Sequence, residues 1–191
     1  MTNPPRSPRP PPRGAGATPR ILRPLSVVIL SAGEYDLSPT RVLAEKIARA
    51  LTASFAARST RAEVQVLELH RLTVDLAQHA VLGYSSLDLR EAVADVAAAD
   101  ALAVVAPQVG TYLTWDVDRF LEILGDEALS GTPVLLATHP VLAAGAGQAI
   151  HRRLVRSGAA LVPPLVVAGH TEFGSPIDQA AADLATATAP Q

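Results

Sequence analysis

From Leu25 onward, short runs rich in Val and Leu alternate with longer amphipathic stretches. No other feature restricts the fold so strongly, because strand-then-helix repetition leads to βαβ units on a parallel sheet. Five strands are expected: Ser26–Ser31, Glu63–Leu69, Ala101–Ala106, Pro133–Thr138 and Leu161–Ala168. All but the second are nearly wholly apolar, as strands covered on both faces must be, and the more alternating second strand is expected at a sheet edge.

The intervening stretches carry helical stripes. Pro39 suits a first turn, and Leu43, Ile47, Leu51 and Phe55 recur every four residues. Leu89, Val93, Val96 and Ala97 form a second stripe, Val117, Phe120, Leu121 and Leu124 a third, and Ile150, Leu154 and Val155 a shorter fourth. The last segment, Ile177–Thr188, is rich in Ala and short of large apolar anchors, which makes it the expected least stable helix.

Residues 1–24 differ from the rest, with eight Pro, five Arg and no acidic residue. Such a segment cannot bury apolar surface, so it is expected to be a disordered or polyproline-II tail, leaving one domain at 25–191. Pro10-Pro11-Pro12-Arg13 is a candidate docking arm, with a plain solvated extension the favoured alternative. The run Leu25–Leu30 is too short for a signal peptide and continues into domain sequence.

The chain carries a formal charge of −2, which the basic tail disguises, since residues 25–191 carry −7. An acidic body argues against nucleic-acid binding. No apolar run reaches the ~18 residues of a membrane span. Cys is absent, which removes disulfides, thiolate metal sites and cysteine nucleophiles, and fits a cytoplasmic protein.

In a doubly wound sheet, ligands bind beyond the carboxyl ends of the strands where the strand order reverses. Three loops are therefore of interest. The first runs from Ser31 through Gly33 to Ser38, Thr40 and Arg41, with hydroxyls beside a helix N-terminus and a cation in its first turn. That set suits a phosphate. The plainer reading has Ser38 capping the helix and Arg41 solvated, and Glu34 and Asp36 favour a phosphate only if they point outward. The second loop, Pro107, Gln108, Val109, Gly110, Thr111 and Tyr112, leads to Trp115. Its amides suit the edge of a planar heterocycle and its aromatics the face, or else the aromatics simply pack. The third, from Thr138 and His139 to Gly147, has one His and no His-x-x-x-His spacing, so no metal centre is expected. No acid/base constellation or GxSxG elbow is present, which points to chemistry carried by a cofactor.

On these residues the chain resembles the NAD(P)H-dependent FMN reductases of the flavodoxin-like fold, in particular an actinobacterial branch associated with luciferase-like monooxygenases. The similarity covers about residues 26–175. It is carried by Val28-Ile29-Leu30-Ser31-Ala32-Gly33 with Ser38-Pro39-Thr40-Arg41, by Glu68-Leu69-His70-Arg71-Leu72, by Ala97-Ala98-Ala99-Asp100, by Phe120-Leu121-Glu122 and by Gly131-Thr132-Pro133. The resemblance implies a three-layer α/β sandwich with sheet order 2-1-3-4-5. It also implies an FMN phosphate held by Ser31, Ser38, Thr40 and Arg41, and a flavin ring lined by Pro107–Tyr112 with Thr138 and His139 nearby.

The implied activity is hydride transfer from NAD(P)H to flavin, with reduced flavin passed to a partner monooxygenase and the protein a homodimer or homotetramer. The chain departs from the family pattern at the second loop, which lacks the usual Asn and has Trp115 in place of a Gly. It departs again at Asp118, where Lys is usual, and at His139-Pro140, where a Gly-rich turn is usual. A degenerate subunit acting through a protein partner is therefore the alternative, and an FMN-dependent quinone or azo reductase a third reading.

Overall fold

The computed structural model describes residues 23–33, 35, 36, 38–106, 113–138, 146–166 and 175–188. The Pro/Arg stretch up to residue 22, including the candidate docking arm, lies outside them. So do Glu34, Pro107–Tyr112 and His139–Gly145.

The chain runs β1 (Leu25–Ser31), α1 (Pro39–Ala57), β2 (Ala62–Glu68), a 3₁₀ turn (Leu69–Leu72), α2 (Thr73–Leu82), α3 (Leu87–Ala97), β3 (Ala101–Val105) and α4 (Leu113–Leu124). It continues with β4 (Pro133–Thr138), α5 (Ala146–Arg156), β5 (Ala160–Leu161), β6 (Leu165–Val166) and α6 (Ser175–Thr188). All pairings are parallel, in the order 2-1-3-4-5, with β6 also on β4. The expected fifth strand is thus present as two short pieces. Pro163 and Pro164 separate them, and proline has no N–H to give the ladder.

Alternate side chains of each strand enter opposite faces. Val27, Ile29, Ala103, Val105 and Leu135 meet Leu43, Ile47, Leu51 and Phe55 of α1 and Ile177, Ala181 and Leu184 of α6. Val28, Leu30, Leu102, Val104 and Leu136 meet Leu76 of α2, Leu89 and Val96 of α3, Phe120 and Leu121 of α4, and Ile150 and Leu154 of α5. The result is a three-layer sandwich with β2 at one edge, as its mixed pattern predicts. Among the described residues, no helix is long and apolar enough to cross a membrane.

Two local features differ from expectation. Helix α2 was not legible as a helix, because Leu76 is its one buried residue and gives no stripe; Gly83, in the left-handed region at φ +66°, ends it. Val155 faces solvent, 53% exposed, and Ala97 is likewise exposed, so the inward residues there are Leu154 and Val96. Helix α6 packs on α1 through the small buried residues Ala180, Ala181 and Ala185.

At the start of the domain, Arg23 donates two hydrogen bonds to the Asp100 carboxylate, both 2.8 Å. The same carboxylate accepts the Ser26 N–H at 2.7 Å. Arg23 and Pro24 are in this way tied to the amino edge of the sheet.

Candidate functional site

The register brings the carboxyl ends of the strands to one level: Ser31 is opposite both Glu68 and Val105, and Val105 is opposite Ala137. The first and third loops, and the start of α4, leave from this edge.

The loop after β1 is built around Gly33. A Cβ placed there would lie 2.1 Å from Ser38 Oγ and 3.4 Å from Thr40 Cβ, so the three residues form a close cradle that a side chain at position 33 could enter only by displacing Ser38. Ser31, Ser38 and Thr40 are all buried. Ser38 is the N-cap of α1, with Oγ accepting the Arg41 N–H at 3.1 Å, and Pro39 occupies the first turn. No acidic residue stands in that turn, so the buried Ser38 and Thr40 hydroxyls stand at the positive end of a 19-residue helix. This donor set fits a phosphate. The capping role of Ser38 and a phosphate-facing role coexist here, since the cap uses its oxygen as an acceptor.

Arg41 is not solvated. Its Nε donates to Glu45 Oε1 at 2.9 Å, and its guanidinium pairs with Glu68 Oε1. The Glu68 side chain is only 5% exposed, and its second oxygen, Oε2, has no hydrogen-bond partner. His70 Nδ1 and Arg71 Nε face that oxygen at 3.3 and 3.7 Å. Asp36 points outward: 66% exposed, it accepts from Arg71 at 2.9 Å and lies 3.3 Å from His70 Nε2. The Arg71 hydrogen bond, then its charge, holds the Asp36 carboxyl below its ordinary value. Asp36, Glu68 and His70 bring ligand-type atoms within 4.8 Å of one another. Arg41 and Arg71 already contact these carboxylates, which makes the cluster an ion-pair network.

At the start of α4, Trp115 is partly exposed, with the Arg119 guanidinium 5.9 Å from its ring centroid. The next residue, Asp116, accepts from the Thr73 hydroxyl at 2.8 Å, joining α4 to α2. Burial pushes its carboxyl upward, against the Thr73 hydrogen bond and the charge of His70. Asp118, the charge reversal noted in the sequence, is turned to α5: Arg153 Nε donates to it at 3.1 Å. Its negative charge is therefore met within the protein.

Of the expected site residues, Ser38 and Thr40 adjoin Gly33, Ser38 caps the helix through the Arg41 N–H, and Ser31 is buried at the end of β1 on the same edge. Thr138 closes β4 at the same edge, paired with Val166. Pro107, Gln108, Val109, Gly110, Thr111, Tyr112 and His139 lie outside the described residues. Sequence reasoning missed Glu68, His70 and Arg71 as neighbours of this loop. The sequence shows only a carboxylate at the end of an edge strand followed by two basic groups, and nothing in it points to the β1 loop. A concavity of about 230 Å³ lined by Pro24, Thr52, Phe55 and Arg61 lies at the amino edge, at the opposite pole from these groups.

Comparison with known proteins agrees with this architecture. A search of curated proteins returned no match. Among solved structures, an oxidoreductase from Corynebacterium diphtheriae is 28% identical, covering 86% of this chain and 96% of its own, with a TM-score of 0.74. The apo form of the NADH:FMN oxidoreductase EmoB is 20% identical over 87% of this chain and 91% of its own, with a TM-score of 0.68. A Streptococcus pneumonia TIGR4 flavodoxin is 20% identical over 85% of this chain and 98% of its own, at a TM-score of 0.54, and shares the fold. The sequence model for NADPH-dependent FMN reductases matches residues 25–173, a span that holds all five strand positions and the Gly33 cradle, and the chain belongs to that family.

Proposed function

We propose that the chain is a flavin-binding oxidoreductase that binds FMN at the carboxyl edge of the sheet and moves a hydride from NAD(P)H to it. The observation that carries this reading is the cradle of buried Ser38 and Thr40 around Gly33 at the N-terminus of α1, with buried Ser31 at the end of β1 on the same edge. These hydroxyls would hold the phosphate, with Arg41 beside them, while Pro107–Tyr112, Thr138 and His139 would line the ring. When bound, FMN supplies the redox chemistry, which is why no side chain is needed as a nucleophile or general base. The chain's part is to fix the isoalloxazine relative to the nicotinamide and to exclude water from the approach.

The reaction balances as NAD(P)H plus a proton and oxidised flavin giving NAD(P)⁺ and reduced flavin. We infer further that the reduced flavin is handed to a partner monooxygenase and that the enzyme is a homo-oligomer. A second reading, a family member acting through a protein partner without flavin, is favoured by Trp115, a bulky ring at the start of α4 where the family pattern has glycine.

Titration of the purified protein with FMN, followed by fluorescence quenching, separates the two. Binding in the micromolar range, about −8 kcal/mol, is expected. Aerobic NAD(P)H oxidation with added FMN should then exceed that of heat-treated protein. Turnover equal to that control, with no quenching, would leave the partner-only reading standing.

A further inference from the structure

We propose that the outward face of α2 seats a second copy of this chain, the two α2 helices lying antiparallel about a two-fold axis near Ala77 and Gln78. This names the surface behind the homo-oligomer reading above and stands independently of flavin binding.

The core of the domain accounts for little of α2. Its ten residues bury only Leu76, and a helix of that length is marginal in water unless packing supports it. Its solvent side is apolar instead. Val74, Ala77 and Val81 recur at i, i+3 and i+7 along one stripe, all exposed, Val74 at 68% and Val81 at 81%. That is the spacing by which one helix packs along another. Leu82, Tyr84 and Leu87 carry exposed apolar surface on past the helix end, so five large hydrophobic residues are exposed within positions 74–87. At ordinary side-chain areas they present about 600 Å², as much as the largest patch on a typical monomer and near the ~800 Å² that each partner gives to a stable interface.

The flank of the stripe says what covers it. The stripe itself holds no charge, and the titratable residues of α2 are Asp75 and His79, one turn apart on the same side of it. Against a parallel second α2, each would meet its own kind. Against an antiparallel one the order reverses: Asp75 faces His79 of the second copy, His79 faces its Asp75, and Val74 meets Val81. Such a contact is self-complementary, as a two-fold dimer requires. Residues 25–191 carry −7, and here two copies can meet without setting like charges against each other. The seam begins beside the candidate site, because Thr73, next to Val74, donates to Asp116 of α4.

Light scattering of the full chain at micromolar concentration reads the assembly. The wild-type mass should be a multiple of the 19.9 kDa chain, and Val81→Glu, at an exposed position that leaves the core untouched, should halve it. Asp75→Lys should raise the dimer dissociation constant about fivefold, and adding His79→Glu should bring it back. Because the chain has no Cys, introduced thiols report the orientation. A disulfide needs Cα atoms within ~7 Å, and two positions seven residues apart on one helix are about 10 Å apart. On oxidation, Val74→Cys and Val81→Cys should each stay uncoupled, while the Val74→Cys/Val81→Cys double variant should form a covalent dimer.

A monomeric wild-type protein overturns this proposal and the homo-oligomer reading together, and leaves the face to a different protein. An oligomer whose mass Val81→Glu does not change overturns this face alone. Covalent dimers from Val74→Cys by itself overturn the antiparallel arrangement.

Discussion

Replacing Gly33 with alanine tests the geometry of the cradle directly. Gly33 does not occupy the left-handed region, so alanine meets no backbone penalty there. On backbone grounds alone, Gly→Ala would stabilise by about 0.4–1 kcal/mol through the unfolded chain. The contacts reverse that sign. The new Cβ would lie 2.1 Å from Ser38 Oγ, far inside van der Waals contact, so Ser38 must rotate. Rotation breaks the 3.1 Å cap bond to the Arg41 N–H, and loss of such a cap costs about 1 kcal/mol. Crowding against Ser38 and Thr40 Cβ atoms adds about 1–3 kcal/mol. The net expectation is a destabilisation of about 2 kcal/mol, which for a domain of this size lowers the Tm by roughly 4–8 °C.

A double-mutant cycle in urea isolates the cause. Ser38→Ala alone should cost about 1 kcal/mol, and Gly33→Ala added to it should cost about 1 kcal/mol instead of about 2, because the cap bond is already gone and only the Cβ crowding remains. A coupling of at least about 1 kcal/mol is therefore expected. Additive losses, or a stabilised Gly33→Ala protein, would refute the reasoning.

Asp100→Ala strips the acceptor from the Ser26 N–H and should cost about 1–2 kcal/mol in urea melts, with Arg23→Ala causing a smaller loss. The Asp116 carboxyl is raised by burial, so its ionisation in the folded state is unfavourable: the stability it allows is complete at acid pH and is lost as pH rises through the raised value. Asp116→Asn, which can still accept from Thr73, should therefore gain on the wild type between ~pH 4 and ~pH 7, and a pH-independent difference would contradict this. Asp118→Lys sets a second cation against Arg153 and should cost about 0.5–1 kcal/mol at low salt, relieved by added salt.

The strands were legible because buried parallel strands leave continuous apolar runs, while the sheet order came from the family resemblance, with only the edge place of β2 readable in its mixed pattern. What escaped notice follows from the same physics. Helix α2 buries only Leu76 and so leaves no periodic trace, and the fifth strand was drawn across Pro163 and Pro164, whose missing N–H groups interrupt pairing. At the site, the hydroxyls and glycine could be read because they lie within ten residues of one another. The role of Arg41 could not be, because its partner Glu68 arrives from another strand through the β1–β2 register. Pairings across a register have no local signature.

Helix α1 and helix α6 share one side of the sheet, yet they stand at nearly opposite ends of the sequence. During synthesis, β1, α1 and β2 can associate as soon as they emerge, but the apolar stripe from Leu43 to Phe55 waits for Ile177, Ala181 and Leu184 before it is fully covered. This closure joins segments far apart in the sequence, so it has high contact order and can form only after nearly the whole chain has emerged. A nascent chain, or one cut before α6, would display that stripe to chaperones and proteases.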